Sequence, residues 1–184
     1  AQKQNEKWSG LDNEGFDNNT WELPWHQNEL IQAVAKVNPR TIVFIISGPA
    51  YSLKSIVDKV PALLYTSYAG MEAGNALASV LFGDANPSGK LAFSYPAELN
   101  DMPAHAQSRK QYPGVNHRVY YSEGIFSGYR WFDSRGIQPL FCFGYGLSYT
   151  SFKYDNLRLS KENMLQNDSL VISIDVTNTG KRSG

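Results

Sequence analysis

A chain of 184 residues is enough for one well-buried domain and a piece of a second. Its 17 basic side chains balance 17 acidic ones, which removes the electrostatic case for nucleic acid or an anionic membrane as partner. A hydrophobic content of 42% fits a globular chain rather than a disordered one, and no apolar run approaches the roughly 20 residues that span a bilayer.

Ala1 to Lys7 are polar and lack the apolar core of a signal peptide, and both ends of the chain read as cut. The first 25 residues hold no clear period and read as a structured loop rich in Asn, Asp, Gly and Trp. A helix is expected from 26 to 37, with Leu30, Ile31, Val34 and Val37 on one face. Asn38-Pro39 ends it, because the residue before proline avoids helical geometry. The continuous apolar run Thr41 to Ile46 suggests a strand covered on both faces, as in a parallel sheet. A second helix over 51–58 leads to a buried strand, Ala62 to Tyr68. A third helix covers 71–82 with Ala76, Leu77, Val80 and Leu81 inward, closed by Gly83-Asp84. Leu91 to Tyr95 reads as a further strand. This alternation of helix and buried strand marks a layered α/β sandwich with a mostly parallel sheet.

Residues 97–118 are polar and without period, so an extended surface loop is expected there. Tyr129 to Asp133, followed by Pro139 to Thr150, interleaves aromatic residues with glycine and reads as a packed corner. Cys142 sits between Phe141 and Phe143 and reads as a small core residue. As the single cysteine it leaves no internal disulfide framework and no cysteine-rich zinc site. In the tail, Leu170, Ile172, Ile174 and Val176 alternate with Ser173, Asp175 and Thr177, the pattern of an antiparallel strand with one wet face. Three or more strands are needed for independent stability, so a lone strand there would be poorly ordered.

The ordered set Asn86-Pro87-Ser88-Gly89-Lys90-Leu91-Ala92-Phe93-Ser94-Tyr95-Pro96, then Pro139 to Thr150, then Val176-Thr177-Asn178-Thr179-Gly180, resembles the C-terminal α/β domain of glycoside hydrolase family 3. This is the β-glucosidase and β-xylosidase family. The resemblance implies an α/β sandwich domain over 1–160, with its first part missing, and the start of a fibronectin type III-like module over 161–184. It also implies a retaining β-glucosidase acting on terminal β-glucosyl residues of glucosides or short β-glucans. The nucleophilic aspartate would then lie on an absent (β/α)₈ barrel of the same enzyme, and the fragment alone is expected to be inactive. A β-xylosidase of the same family and a non-catalytic carbohydrate-binding or scaffold domain are the alternatives. A nucleotide-binding domain is weakly supported, because Ser47-Gly48-Pro49 lacks the phosphate-loop pattern.

Retaining hydrolysis needs two carboxyl groups about 5 Å apart, a nucleophile and an acid/base. Glu14, in Glu14-Gly15-Phe16-Asp17, aligns with the family's Glu-Gly-(aromatic)-Asp and is implied as the acid/base. Nearby negative charge and partial burial would raise its pKa towards the working pH. Many relatives carry Arg directly after that motif, whereas this chain has Asn18, which changes whatever ion pair held the loop. Asp12 and Glu123 are competing acids. Trp8, Asp12 and Phe16 are candidates to touch substrate, while Trp21 and Trp25 read better as core packing. No cofactor or metal is expected: His26, His105 and His117 show no ligand spacing. Asn18-Asn19-Thr20 and Asn167-Asp168-Ser169 match the glycosylation pattern, which is too short to weigh much. Homodimerisation is left open, and export to the periplasm or medium follows only from the family's polymeric diet.

Overall fold

The computed structural model describes residues 20–106 and 108–184. In chain order its elements are α1 (Gln27–Val37), β1 (Ile42–Ile46), β2 (Ala62–Thr66), α2 (Ala73–Phe82), α3 (Pro103–Ala106), α4 (Tyr129–Arg135), β3 (Phe152–Leu159) and β4 (Ile172–Asn178). They divide into two compact units. The first joins the residues up to Ala69 with Leu91–Gly144; the second joins Gly70–Lys90 with Tyr145–Gly184.

In the first unit β1 and β2 pair in parallel, from Ile42 opposite Ala62 to Ile46 opposite Thr66. The expected parallel α/β pairing is therefore present. Val43 and Ile45 are buried, but Ile42 and Ile46 stay about half exposed, so one face of β1 is open among the described residues. The core gathers Leu23, Val43, Ile45, Leu53, Ile56 and Tyr95. Around Tyr95 the rings of Tyr65, Phe93 and Phe141 pack at centroid distances of 5.9, 5.6 and 6.2 Å.

Helix α1 forms where its period predicts, but of the expected face only Ile31 is covered. Asn28 is buried and Ile31 and Ala35 are half-buried, whereas Leu30, Val34 and Val37 are exposed. Asn38 is extended (φ −131°), and its N–H still reaches Val34 O, so the helix stops one residue before Pro39.

The helix expected over 51–58 is a single turn, closed by Val57 N–H on Leu53 O at 2.9 Å. The backbone that would start a helix is engaged elsewhere. Ser52 N–H donates to Trp21 O at 2.7 Å, and both backbone groups of Tyr51 bond the Tyr95 hydroxyl. Leu53 and Ile56 point into the core from this turn, at 1% and 0% exposure, and fill it without a helix.

The strand expected at Leu91 to Tyr95 is reduced to one antiparallel bridge. Tyr95 N–H donates to Phe141 O and Leu140 N–H to Tyr95 O, both at 2.8 Å. The polar stretch after it is not wholly irregular. A 3₁₀ turn at Leu99–Asp101 carries a capping box between Glu98 and Asp101, and α3 follows directly. Helix α4 lies in the expected aromatic corner and ends at left-handed Gly136 (φ 62°). Its Trp131 and Phe132 are buried, and Trp131 Nε1–H donates to Asp101 O at 2.9 Å.

In the second unit α2 closes at left-handed Gly83 (φ 82°), as its glycine predicts. The expected inward side is only half covered: Leu77 and Val80 are half-buried, while Ala76 and Leu81 are exposed. The tail strand, β4, is paired antiparallel with β3. Alternation did not reveal β3 because its register shifts between Asp155 and Arg158, with Asn156 at φ 52°. Such a bulge moves the following side chains to the other face. Ile172, Ile174 and Val176 are exposed here, while Ser173 and Asp175 are half-buried, the reverse of the expected wet and dry sides. Two strands alone do not define a fibronectin type III-like module.

The two glycine-rich motifs meet by hydrogen bonds within each unit. In the first, Gly144 N–H donates to Leu91 O at 2.8 Å, beside the Tyr95–Phe141 bridge. In the second, Asn86 Nδ2 donates to Ser148 Oγ at 2.9 Å while Tyr149 N–H donates to Asn86 Oδ1 at 2.8 Å. Gly146 is required there, since a Cβ would fall 2.2 Å from Gly89 O.

Candidate functional site

Parallel pairing brings the carboxyl ends of β1 and β2 to one edge, where ligands bind in open α/β sheets. Ser47 follows β1 there, 5% exposed, with its N–H on Thr66 O at 3.0 Å. Its carbonyl accepts from the Tyr65 hydroxyl at 3.1 Å. Gly48 leaves room for the Tyr68 ring, which a Cβ would meet at 3.0 Å. Burial raises the phenol pKa of Tyr65, and raises that of Tyr95 further, so both hydroxyls remain protonated donors.

Glu14, Trp8, Asp12 and Phe16 lie outside the described residues. The segment that immediately follows them is anchored to the first unit. Trp21 O accepts from Ser52 N–H, just past the end of β1, and Leu23 is buried in the core. The Asn28 amide donates to the Glu22 carboxylate, holding the same segment to the start of α1. Trp25 and His26 both adopt left-handed geometry (φ 52° and 60°) immediately before α1. For residues other than glycine that costs about 1–2 kcal/mol each and persists only where the surroundings enforce it.

Neither Trp21 nor Trp25 belongs to the hydrophobic core cluster of the described residues. Trp21 is half-buried, and its indole N–H is buried with no hydrogen-bond partner among the described residues. Trp25 is 47% exposed, because its left-handed backbone turns the residue away from the core that Leu23 enters. Glu123 is half-buried in a turn whose carbonyl accepts from Phe126 N–H at 3.1 Å. His26 Nδ1 lies 3.4 Å from Glu29 Oε1, His105 stacks near Tyr112 at 4.8 Å, and His117 occupies a turn.

Sequence reasoning did not find a cleft of about 540 Å³ between α4 and the Pro139–Phe143 segment. Tyr129 and Phe143 form one wall, 5.4 Å apart and tilted by 34°, and Ser94, Asp133 and Gln138 supply polar groups. Cys142 lines this cleft and is exposed, which corrects its reading as a core residue. The antiparallel bridge at Phe141 turns that ring onto Tyr95 and its neighbour outward, following strand alternation. The density of aromatic residues was the available signal. It does not tell the packed rings, Trp131 and Phe132, from the half-exposed pair.

Comparison with known proteins gives consistent results. The family model described as the glycosyl hydrolase family 3 C-terminal domain matches residues 3–149. The chain is 46% identical over 173 residues to a β-glucosidase, BoGH3A, of Bacteroides ovatus, covering 94% of this chain and 23% of that protein. It is 42% identical to thermostable β-glucosidase B of Acetivibrio thermocellus, again over 94% of this chain and 22% of the relative. Among solved structures, DesR, a β-glucosidase of Streptomyces venezuelae in complex with D-glucose, matches at a TM-score of 0.84 and 41% identity. That match covers 92% of this chain and 21% of DesR. The chain thus spans less than a quarter of the curated relatives it matches.

Proposed function

Because the chain belongs to the glycosyl hydrolase family 3 C-terminal domain family, we propose that it is the part of a retaining β-glucosidase that supplies the general acid/base, Glu14. The barrel of the same enzyme would supply the nucleophilic aspartate. The observation that carries this reading is the family-model match over residues 3–149, which includes Glu14, with the following segment anchored by the Trp21–Ser52 hydrogen bond and buried Leu23. Glu14 precedes Thr20 by six residues, a span of at most about 20 Å. The loop is therefore tethered close to the core that Leu23 enters.

The chemistry follows from two carboxyl groups. In the first step the barrel carboxylate attacks the anomeric carbon as the glycosidic C–O bond breaks, and the Glu14 proton passes to the leaving oxygen. In the second step the Glu14 carboxylate takes a proton from water, whose oxygen attacks the same carbon and releases the barrel carboxylate. Glucosides are favoured over xylosides as substrates because the relatives compared bear the name β-glucosidase. Trp8, Asp12 and Phe16 are proposed to contact the sugar from the same loop. Residues 161–184 are proposed to open a fibronectin type III-like module.

The test joins this segment to its barrel and compares Glu14→Ala with the parent on an aryl β-glucoside. Turnover is expected to fall by about 10²–10⁴, with partial rescue by azide on an activated substrate. Unchanged kinetics would transfer the role to Asp12 or Glu123. Parallel assays on aryl β-xylosides measure the substrate preference.

A further inference from the structure

Between Met102 and Ser122 the chain carries Arg109, Lys110 and Arg118 and no acidic residue. Hydrogen bonds tie residues 108–122 together. Gln111, 7% exposed, accepts from Ser108 Oγ at 2.9 Å and donates to Ser122 Oγ at 2.5 Å. Tyr120 N–H donates to Lys110 O at 3.0 Å, setting these two residues side by side. Val115 and Arg118 exchange backbone hydrogen bonds of 2.9 and 3.1 Å around a two-residue turn. Asn116 and His117 form that turn with φ of 52° and 58°. Gly114, at φ 101°, allows the close return, since a Cβ there would lie 2.6 Å from Arg118 O. The result is a groove of about 420 Å³ lined by Lys110, Val115, Asn116, Arg118 and Tyr120.

Two cationic residues thus line one groove. Among the described residues no carboxylate lies within ion-pair distance of Lys110 or Arg118, whereas Lys54, Lys153, Arg158 and Lys161 each have one. Two positive charges lining one groove raise its potential, which a bound anion offsets. The groove is far larger than a bare oxyanion needs. It also offers a tyrosine ring with its hydroxyl and an asparagine amide, the groups that stack on and hydrogen-bond a pyranose.

We propose that this groove is a binding site for a sugar bearing a carboxylate, a uronic acid residue, with Lys110 and Arg118 on the carboxylate and Tyr120 and Asn116 on the ring. Among the described residues its lining holds no carboxylate, and its test reads binding rather than hydrolysis. The full chain is titrated with D-glucuronate, D-glucose and inorganic phosphate, followed by amide NMR shifts. Glucuronate is expected to bind at least about tenfold more tightly than glucose, to perturb residues 110–120, and to weaken with added salt. Arg118→Gln and Lys110→Gln should each weaken it at least about fivefold, Arg118→Lys should retain the preference for glucuronate over glucose, and Lys59→Gln should change nothing. The proposal is overturned if glucuronate binds no better than glucose, or if the two charge-removing variants bind it as well as the parent. It also fails if phosphate binds as tightly as glucuronate, because the sugar would then contribute nothing.

Discussion

Tyr95 uses one hydroxyl for two bonds, donating to Tyr51 O at 2.7 Å and accepting from Tyr51 N–H at 3.1 Å. Tyr95→Phe strands both backbone groups beside the core and should cost about 1–3 kcal/mol, measured by urea denaturation. Burial lifts the Tyr95 phenol pKa above its ordinary 10.0, and Tyr65 shifts the same way. Folding therefore favours the protonated phenols. Their contribution is complete below pH 10 and is lost as the medium rises through the folded pKa values. Denaturation midpoints compared at pH 9 and about pH 11 should fall in the parent and fall less in Tyr95→Phe. None of this was legible in the residues. Tyr95 reads as one position in a strand, and only the fold reveals that its ring is buried and its hydroxyl holds a distant turn. Glu14, by contrast, was nominated from its motif alone.

Helices and strands with a clear period were legible as elements, but the faces they bury were not. Periodicity put Leu30, Ile31, Val34 and Val37 of α1 on one face, yet of these only Ile31 is covered, beside Asn28 and Ala35. Apolar spacing marks a stripe, and the neighbours available decide which part of it is covered. The contrast is measurable. Ile56→Ala, from a site with 0% exposure, should cost about 2–5 kcal/mol, while Leu30→Ala, 63% exposed, should cost less than about 0.5 kcal/mol in this chain. In the β3–β4 pair, the Arg158 guanidinium and then the Asn156 amide hold the Asp175 carboxyl below its ordinary value of 3.8. The pairing is therefore present above that value and released as pH falls through the lowered one. Carbon NMR titration should find the Asp175 midpoint below 3.8 in the parent and nearer to it in Arg158→Gln. The β3 strand itself was hidden by its bulge, which breaks the alternation a reader relies on.

At the scale of the whole chain, the motifs that carried the resemblance prove to be bonding partners. Leu91 and Tyr95 meet Gly144, Leu140 and Phe141, and Asn86 meets Ser148 and Tyr149. Sequence order alone placed them about 45 to 63 residues apart with no indication that they touch. A chain ending at Gln138 would leave all of these groups unpaired and should lose its cooperative thermal transition by circular dichroism. The same pairing sets a timetable during synthesis. The stretch from Asn86 to Tyr95 leaves the ribosome long before its counterpart exists, so it must wait, uncommitted, until some 50 further codons have been translated. A pause or premature stop within that interval would deliver an aromatic-rich, half-finished nascent chain, a natural client for the chaperones that meet emerging polypeptides.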